Sequence, residues 1–189
     1  MEKRHRIFIA INLPEEVKKD FFSYFEKWPE LQAKWTAKDN LHITLEFLGD
    51  LTNEEIGEVC MAVKEVAERQ SCFSLNVTRV IYGPPEKNPP RMIWAIGEKS
   101  KELSELRQDL ENALTGRVNF IPENKTFAPH ITLARISAWV WRSIEPEERP
   151  EINENIDLVF TVESIEVMES VLKRGGPQYT ILESHELNP

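Results

Sequence analysis

The stretch Asn40-Leu41-His42-Ile43-Thr44-Leu45-Glu46-Phe47-Leu48-Gly49 decides the organisation of the chain, because much of it returns as Phe127-Ala128-Pro129-His130-Ile131-Thr132-Leu133-Ala134-Arg135. Each copy holds a His-x-Thr triplet among apolar residues, a pattern that favours a strand. Side chains alternate between the two faces of a strand, so the histidine and the threonine of each triplet share one face. The repetition predicts two related halves within one chain.

The likeness extends to the neighbouring segments. Arg6-Ile7-Phe8-Ile9-Ala10-Ile11 matches Arg91-Met92-Ile93-Trp94-Ala95-Ile96 position for position, as an arginine followed by an apolar strand. Apolar periodicity predicts a helix after Pro14 that reaches residue 28, and the capping box Thr52-Asn53-Glu54-Glu55 predicts a second helix. We therefore expect a single domain over 1–189, with pseudo-repeats at about 6–82 and 91–168 and a C-terminal strand at 178–184.

The later part of the chain is less regular. The polar stretch 143–155 predicts an exposed connection, and 158–168 predicts a strand. Two halves of this size are each too small to be robust alone, so we expect them to bury their apolar faces against each other. A groove between the two halves then becomes the expected binding site.

Charge and composition limit the functions that the chain can have. Of its 189 residues 41% are hydrophobic, and the net charge is −9, which excludes nucleic-acid binding through a broad basic surface. A nucleic-acid substrate must be bound locally. The apolar run 7–11 is too short for a signal peptide, and no stretch approaches a membrane span. Cys60 and Cys72 lack metal-ligand spacing, so we expect a reduced, cytoplasmic protein.

The two His-x-Thr strands carry the chemistry. If a two-fold axis relates the halves, His42, Thr44, His130 and Thr132 meet at one site. One neutral imidazole takes a proton from an attacking hydroxyl while a protonated imidazole gives one to a leaving oxygen. The two hydroxyls hydrogen-bond phosphate oxygens without a metal. A single His-x-Thr triplet is more often a packed or surface feature, but the matched pair favours catalysis.

These motifs resemble the two signature motifs of the 2H phosphoesterases, and most of all those of the RNA 2′,3′-cyclic phosphodiesterases, historically called 2′-5′ RNA ligases. The resemblance also covers 6–14, 91–97 and 174–179, so it spans nearly the whole chain. It implies an α+β, bilobal fold with antiparallel sheets lining a central groove and helices outside. It also implies opening of a 2′,3′-cyclic phosphate to a 2′-phosphomonoester with no metal or cofactor.

The resemblance further implies roles for individual residues. His42 is the expected proton donor and His130 the expected proton acceptor, while Thr44, Thr132 and Arg135 bind the substrate phosphate. Arg135 lies three residues after Thr132, so simple alternation points it to the opposite face unless the strand ends or bulges there. The alternative for Arg135 is a surface position.

Aromatic and basic residues are candidates for RNA contact. Tyr179 and Phe8 are candidates for stacking on a base, although core packing is the favoured interpretation for each; Tyr179 is the better candidate because it follows Gly175-Gly176. The same two interpretations apply to Trp94 and Phe127 and, with no preference, to Trp139 and Trp141. Lys173 and Arg174 either attract the RNA backbone or form a solvated turn.

We expect the partner to be RNA with a 2′,3′-cyclic phosphate end, such as a tRNA fragment, bound by a monomer without membrane association. Two other functions stay open from the sequence. One is the reverse reaction, 2′-5′ RNA ligation, in which a 5′-hydroxyl replaces water. The other is a non-catalytic RNA- or nucleotide-binding module, which the presence of both histidines disfavours because binding alone tolerates other donors.

Overall fold

A computed structural model of the chain describes residues 3–25, 27–122 and 127–189. These ranges contain four α-helices: α1 Glu15–Phe22, α2 Asn53–Ala67, α3 Lys101–Leu114 and α4 Ala138–Ser143. They also contain nine strands: β1 His5–Asn12, β2 Lys34–Trp35, β3 His42–Leu51, β4 Phe73–Gly83, β5 Met92–Gly97, β6 His130–Arg135, β7 Asn153–Val162, β8 Ser164–Lys173 and β9 Gly176–Glu186. The predicted C-terminal strand lies within β9.

The start of α2 follows its sequence signal. The Thr52 hydroxyl accepts a hydrogen bond from the Glu55 backbone N–H at 3.2 Å, and the Glu55 carboxylate accepts one from the Thr52 N–H at 2.8 Å. The capping box is therefore present as predicted. Helix α1 is shorter than predicted, because it ends at Phe22 and the aromatic rings beyond it pack together instead: Phe25 and Trp28 both stack against Trp35.

The strands form one antiparallel sheet in the order β7-β4-β5-β6-β3-β1-β8-β9, with β2 paired to β6. The two halves of the sheet meet where β3 pairs with β6. We call β3, β1, β8 and β9 the His42 half, and β7, β4, β5 and β6 with β2 the His130 half. The halves thus join edge to edge, which differs from the expected face-to-face packing.

The last strand of each repeat, β4 in the first and β8 in the second, lies in the other half of the sheet. Strand β4 follows β3 and α2 in the chain, yet both of its neighbours, β5 and β7, come from the second repeat. Strand β8 of the second repeat pairs with β1 of the first. Each half is therefore built from both repeats, and neither repeat forms a half alone.

The segment predicted as one strand over 158–168 is two strands. Strand β7 ends at Val162 and pairs with β4, whereas β8 begins at Ser164 and pairs with β1. Because the residues on both sides of Glu163 are mostly apolar, the sequence pattern predicted one continuous strand and did not indicate the change of partner. The expected exposed connection over 143–155 is also interrupted, because a 3₁₀ helix occupies Pro146–Glu148 and β7 already starts at Asn153.

The two faces of the sheet are used differently. Ile7, Ile9 and Ile11 of β1 are at most 1% exposed and belong to the main core, which also contains the apolar faces of α1, α2 and α3. Phe8 and Ala10, which alternate with them, form a small cluster with Met168 on the opposite face. The helices therefore cover one face, and the other face carries the groove. No helix in the described ranges has the length and hydropathy to cross a bilayer.

Candidate active site

The centre of the groove is the junction between β3 and β6, where Ile43 pairs with Ile131. Extending this antiparallel register by one residue in each direction places His42 opposite Thr132 and Thr44 opposite His130. Directly opposed residues share a face of the sheet, and all four of these side chains line the same cavity. The structure thus brings together the four residues that the repeated motif singled out.

Arg135 reaches the same face through a bulge in β6. Leu133 and Ala134 are buried one after the other, and the pairing of β6 with β5 shifts register at this point. An extra residue in a strand reverses the alternation of side chains beyond it. Arg135 therefore lies on the same face as Thr132, is exposed, and lines the cavity.

Strand β3 bulges at the equivalent place. Leu45 and Glu46 are buried in succession, and the pairing with β1 shifts register beside them. Phe47 consequently occupies in the His42 half the position that Arg135 has in the His130 half. Its side chain is 62% exposed and lines the cavity. Sequence reasoning missed Phe47; the shared spacing of three residues after each His-x-Thr threonine was the available signal.

Backbone carbonyls hold both imidazole rings in the same way. The Nδ1 of His42 lies 2.7 Å from the carbonyl oxygen of Asn40, and the Nδ1 of His130 lies 2.9 Å from that of Ala128. A carbonyl only accepts hydrogen bonds, so Nδ1 is the protonated nitrogen in both rings. The Nε2 atoms are left for chemistry, and that of His42 is 3.0 Å from the Thr44 hydroxyl.

The aromatic surroundings of the two histidines differ. The His42 ring lies 5.1 Å from the rings of both Phe8 and Tyr179, measured between centroids, with Tyr179 edge-on. His130 instead stacks on Trp94 at 3.9 Å. Trp94 pairs with Thr132, and it is Ala10 that pairs with Thr44. In the structure Trp94 therefore corresponds to Ala10, whereas the sequence comparison matched Trp94 with Ile9. The alignment of these two strands is shifted by one residue.

Burial lowers the pKa of both histidines below the ordinary imidazole value. For His42 burial is the largest cause and brings the pKa to about 4; the Asn40 carbonyl raises it, and the positive charges of His130, Arg135 and Lys18 lower it further. For His130 burial again lowers the pKa, against the carbonyl that accepts from its Nδ1. In the free protein His42 is consequently neutral at pH 7.

The cavity above these residues measures about 700 Å³. Its described lining includes the cations Arg6, Lys34 and Arg135 and contains no aspartate or glutamate. A chain with a net charge of −9 therefore presents a locally positive groove, as local binding of an anionic substrate requires. Among the residues that the structure describes, no three His, Cys, Asp or Glu side chains group as metal ligands.

The other candidates for RNA contact fall in different places. Phe8 is only 3% exposed and supports His42, whereas Tyr179 is half-buried at the wall of the cavity. Phe127 lies beneath the guanidinium of Arg107, outside this cavity. The remaining four residues do not line it either: Trp139 is exposed, Trp141 packs on Tyr82, and Lys173 and Arg174 occupy the β8–β9 turn.

Comparison with known proteins adds independent evidence. The family described as LigT like Phosphoesterase matches the chain twice, over 11–94 and 96–179. An RNA 2′,3′-cyclic phosphodiesterase of Thermotoga maritima is 31% identical over 94% of this chain and 92% of its own length. That of Thermus thermophilus is 32% identical, covering 96% and 90%.

Solved structures show the same fold. The protein TT0787 of Thermus thermophilus superposes with a TM-score of 0.80 at 29% identity, covering 96% of this chain and 97% of that one. E. coli LigT complexed with 3′-AMP gives a TM-score of 0.78 at 25% identity, covering 99% and 100%. The expected α+β fold with two duplicated halves is confirmed.

An antiparallel sheet with two His-x-Thr strands at its centre defines a 2H phosphoesterase. The two matches to the family cover most of the sequence and repeat its internal duplication. The chain belongs to the LigT-like phosphoesterase family, as the resemblance of its motifs predicted.

Proposed function

We propose that this phosphoesterase hydrolyses the 2′,3′-cyclic phosphate at the 3′ end of an RNA and leaves a 2′-phosphomonoester. The observation that carries the proposal is the register at Ile43 and Ile131, which sets two histidines and two threonines around one point of the groove. The names of the relatives from Thermotoga maritima and Thermus thermophilus support the choice of substrate.

The reaction requires one proton to be removed and one to be supplied. Water attacks the phosphorus while the Nε2 of His130 accepts the water proton, and the bond from phosphorus to O3′ breaks as the Nε2 of His42 protonates that oxygen. The bond to O2′ remains, so the product is a 2′-phosphomonoester with a free 3′-hydroxyl. The carbonyl contacts at Nδ1 keep both Nε2 atoms available.

The phosphate oxygens need donors as negative charge develops on them. Thr44 and Thr132 supply hydroxyls at the centre of the groove, and Arg135 supplies a guanidinium from the bulge in β6. None of these groups requires a metal ion. Since both histidines and both threonines come from one chain, we expect the enzyme to act as a monomer. We also expect it to act in the cytoplasm.

His42 must gain a proton before it acts as the acid, because its pKa of about 4 keeps it neutral in the free protein at pH 7. The bound phosphate is an anion beside Arg135, whose positive charge helps to lower that pKa. Binding of the phosphate therefore offsets the repulsion between this positive charge and the His42 imidazolium, and so raises the pKa of His42. The same depressed pKa favours the reversed assignment, with His42 as the base, so the two assignments need a kinetic test.

We expect the aromatic side of the groove to hold the nucleobase. Tyr179 stands edge-on to His42, and Phe47 offers an exposed ring within 6.2 Å of Phe8. An exposed ring stacks on any base, which gives affinity with little sequence preference. Phe47 and Tyr179 are therefore the residues that we assign to the terminal base, with Phe8 packed behind them.

The test is hydrolysis of a short RNA with a 2′,3′-cyclic end in the presence of EDTA. We expect full turnover, with the product identified by ³¹P NMR against 2′- and 3′-phosphate standards as the 2′ isomer. A 3′-phosphate product would contradict the direction of ring opening. Loss of turnover in EDTA that added metal restores would contradict the roles of Thr44, Thr132 and Arg135.

A further inference from the structure

Two cations stand side by side at the end of β6 that is far from His130. Lys34 of β2 pairs in register with Arg135, and both side chains are exposed and line the cavity. None of the ion pairs formed among the described residues includes Lys34 or Arg135. Like charges directly opposed across strands destabilise a sheet, so an anion bound between the two cations would relieve their repulsion.

The β8–β9 hairpin reaches the same place. The Nζ of Lys34 lies against Gly176, where an added Cβ would be 3.0 Å from it. Gly176 and its neighbours Gly175 and Pro177 line the cavity, whereas Lys173 and Arg174 of the turn do not. We call Lys34 and Arg135 the basic end of the groove.

The hairpin is held over the groove at this end. The side-chain amide of Asn40 donates a hydrogen bond of 2.9 Å to the carbonyl oxygen of Pro177. The carbonyl of the same Asn40 accepts from His42, so the basic end is connected directly to the catalytic centre. An anion bound here therefore lies in the same cavity as the reacting phosphate.

We propose that Lys34 binds the phosphodiester on the 5′ side of the terminal nucleotide. The inference rests on the proposed function, in which Arg135 and the two threonines already serve the cyclic phosphate. A second phosphate lies one nucleoside away in an RNA chain and is absent from a cyclic mononucleotide with a 5′-hydroxyl. The basic end thus makes the enzyme selective for the end of an RNA over free cyclic mononucleotides.

The test compares two substrates with the same terminal base, a 2′,3′-cyclic mononucleotide with a 5′-hydroxyl and the dinucleotide that ends in it. We expect kcat/KM for the dinucleotide to exceed that for the mononucleotide by about tenfold or more, the usual size of a charge-assisted phosphate contact. Lys34→Gln removes most of this preference by lowering the dinucleotide value. It also makes the dinucleotide rate less dependent on salt.

Lys101→Gln is the matched control, because it makes the same change of charge at an 82% exposed lysine outside the cavity. It is expected to leave the preference intact. Equal kcat/KM for the two substrates in the unaltered protein would overturn the second phosphate site while leaving the proposed function standing. An equal loss on both substrates in Lys34→Gln would place Lys34 at the cyclic phosphate instead. Failure to hydrolyse either substrate would reject the proposed function itself.

Discussion

His42 and His130 occupy equivalent strand positions in different surroundings. Both donate from Nδ1 to a carbonyl two residues earlier in the chain, so tautomer does not distinguish them. They differ in burial and in aromatic contact, since His42 meets the edge of Tyr179 and His130 stacks flat on Trp94. The face of an indole attracts a cation, so the stack stabilises the imidazolium that His130 forms when it accepts a proton.

The protonation of His42 is open to direct measurement. We expect its ring C–H resonances to titrate near pH 4 in the free protein, because burial and nearby positive charge both oppose the imidazolium. Inorganic phosphate should raise this pKa by placing an anion in the groove. A titration near the ordinary value of about 6.5 that phosphate does not move would contradict this account.

Substitution separates the acid from the base. His42→Ala and His130→Ala should each lower turnover at least about 10²-fold, in line with the usual contribution of general acid and base catalysis. An activated leaving group at the 3′ oxygen needs little protonation, so it should largely restore the rate of His42→Ala and leave His130→Ala impaired. Rescue of His130→Ala instead would reverse the assignment.

Some residues of the site were predictable from sequence because strand alternation alone places them. His42 and Thr44 share a face by a spacing of two, and the repetition marked His130 and Thr132. Arg135 required a bulge, which depends on pairing with β5 and is not given by strand alternation. Phe47 depends on the matching bulge against β1, and only the spacing that it shares with Arg135 pointed to it.

The strand that carries Trp94 depends on a glycine in its neighbour. Gly83 ends β4, and a Cβ added there would overlap the Trp94 ring. The indole is therefore held between Gly83 on one side and His130 on the other.

We expect Gly83→Ala to displace Trp94 and with it His130, lowering kcat by about tenfold or more, because small shifts of a catalytic group cost large factors in rate. Gly57→Ala is the control, since Gly57 lies in α2 with no atom within 4 Å of the added Cβ. Steady-state kinetics and thermal unfolding on both variants separate a catalytic effect from a general loss of stability. A Gly83→Ala enzyme with normal kcat would show that the indole does not position His130.

Helix α3 is tied to the bulge of β3 by an ion pair. Arg107 lies 2.6 Å from the carboxylate of Glu46, which is 3% exposed, and 3.0 Å from that of Glu111. Burial raises the pKa of Glu46, and Arg107 acts against this shift. The pair fixes the strand next to Phe47.

Arg107→Met should lower the free energy of unfolding by about 3 kcal/mol, measured in urea, because it leaves a buried carboxylate without its partner. Removal of Arg107 raises the pKa of Glu46 further in the folded state. The loss in free energy of unfolding should therefore become smaller as the pH falls, because Glu46 takes up a proton and no longer needs a charged partner. Arg117→Met is the comparison: its pair with Glu65 is exposed, so its loss should lower the free energy of unfolding by clearly less than the loss of Arg107 does. Equal losses in the free energy of unfolding of the two variants would show that the ion pair at Glu46 stabilises the fold no more than the exposed pair does.

The helices and most strands followed from local patterns, whereas the partners of the strands did not. Helix α2 begins where Thr52 and Glu55 predicted, because a capping box is a local structure. The division of 158–168 at Glu163 was hidden, because both strands are apolar and only distant partners distinguish them. Long-range pairing is the information that a single sequence lacks.

The exchange of β4 and β8 makes the two halves of the sheet dependent on each other. A protease site placed in the loop 84–91 would separate the two repeats while leaving every strand pair in place. We expect the cleaved fragments to elute together in size-exclusion chromatography and to keep activity, because β4 pairs only with strands of the second fragment.

The first fragment expressed alone provides the decisive comparison. It lacks both neighbours of β4 and should give the collapsed NMR spectrum of an unfolded chain. Well-dispersed amide resonances from that fragment would contradict the mutual dependence of the halves.

The exchange of the last strands, β4 and β8, also determines what half of this chain could do. Two separate copies of one repeat would have to trade that strand, as the partners of a domain-swapped dimer do, to complete either half of the sheet. One copy carries one histidine and one threonine, so it holds only half of the acid-base pair. A chain of half the length would therefore be inactive until it dimerised, and covalent fusion makes the activity independent of protein concentration. Fusion also frees each copy to diverge, and Phe47 and Arg135, at matching bulges, show the result: one side of the groove receives an aromatic ring and the other a positive charge.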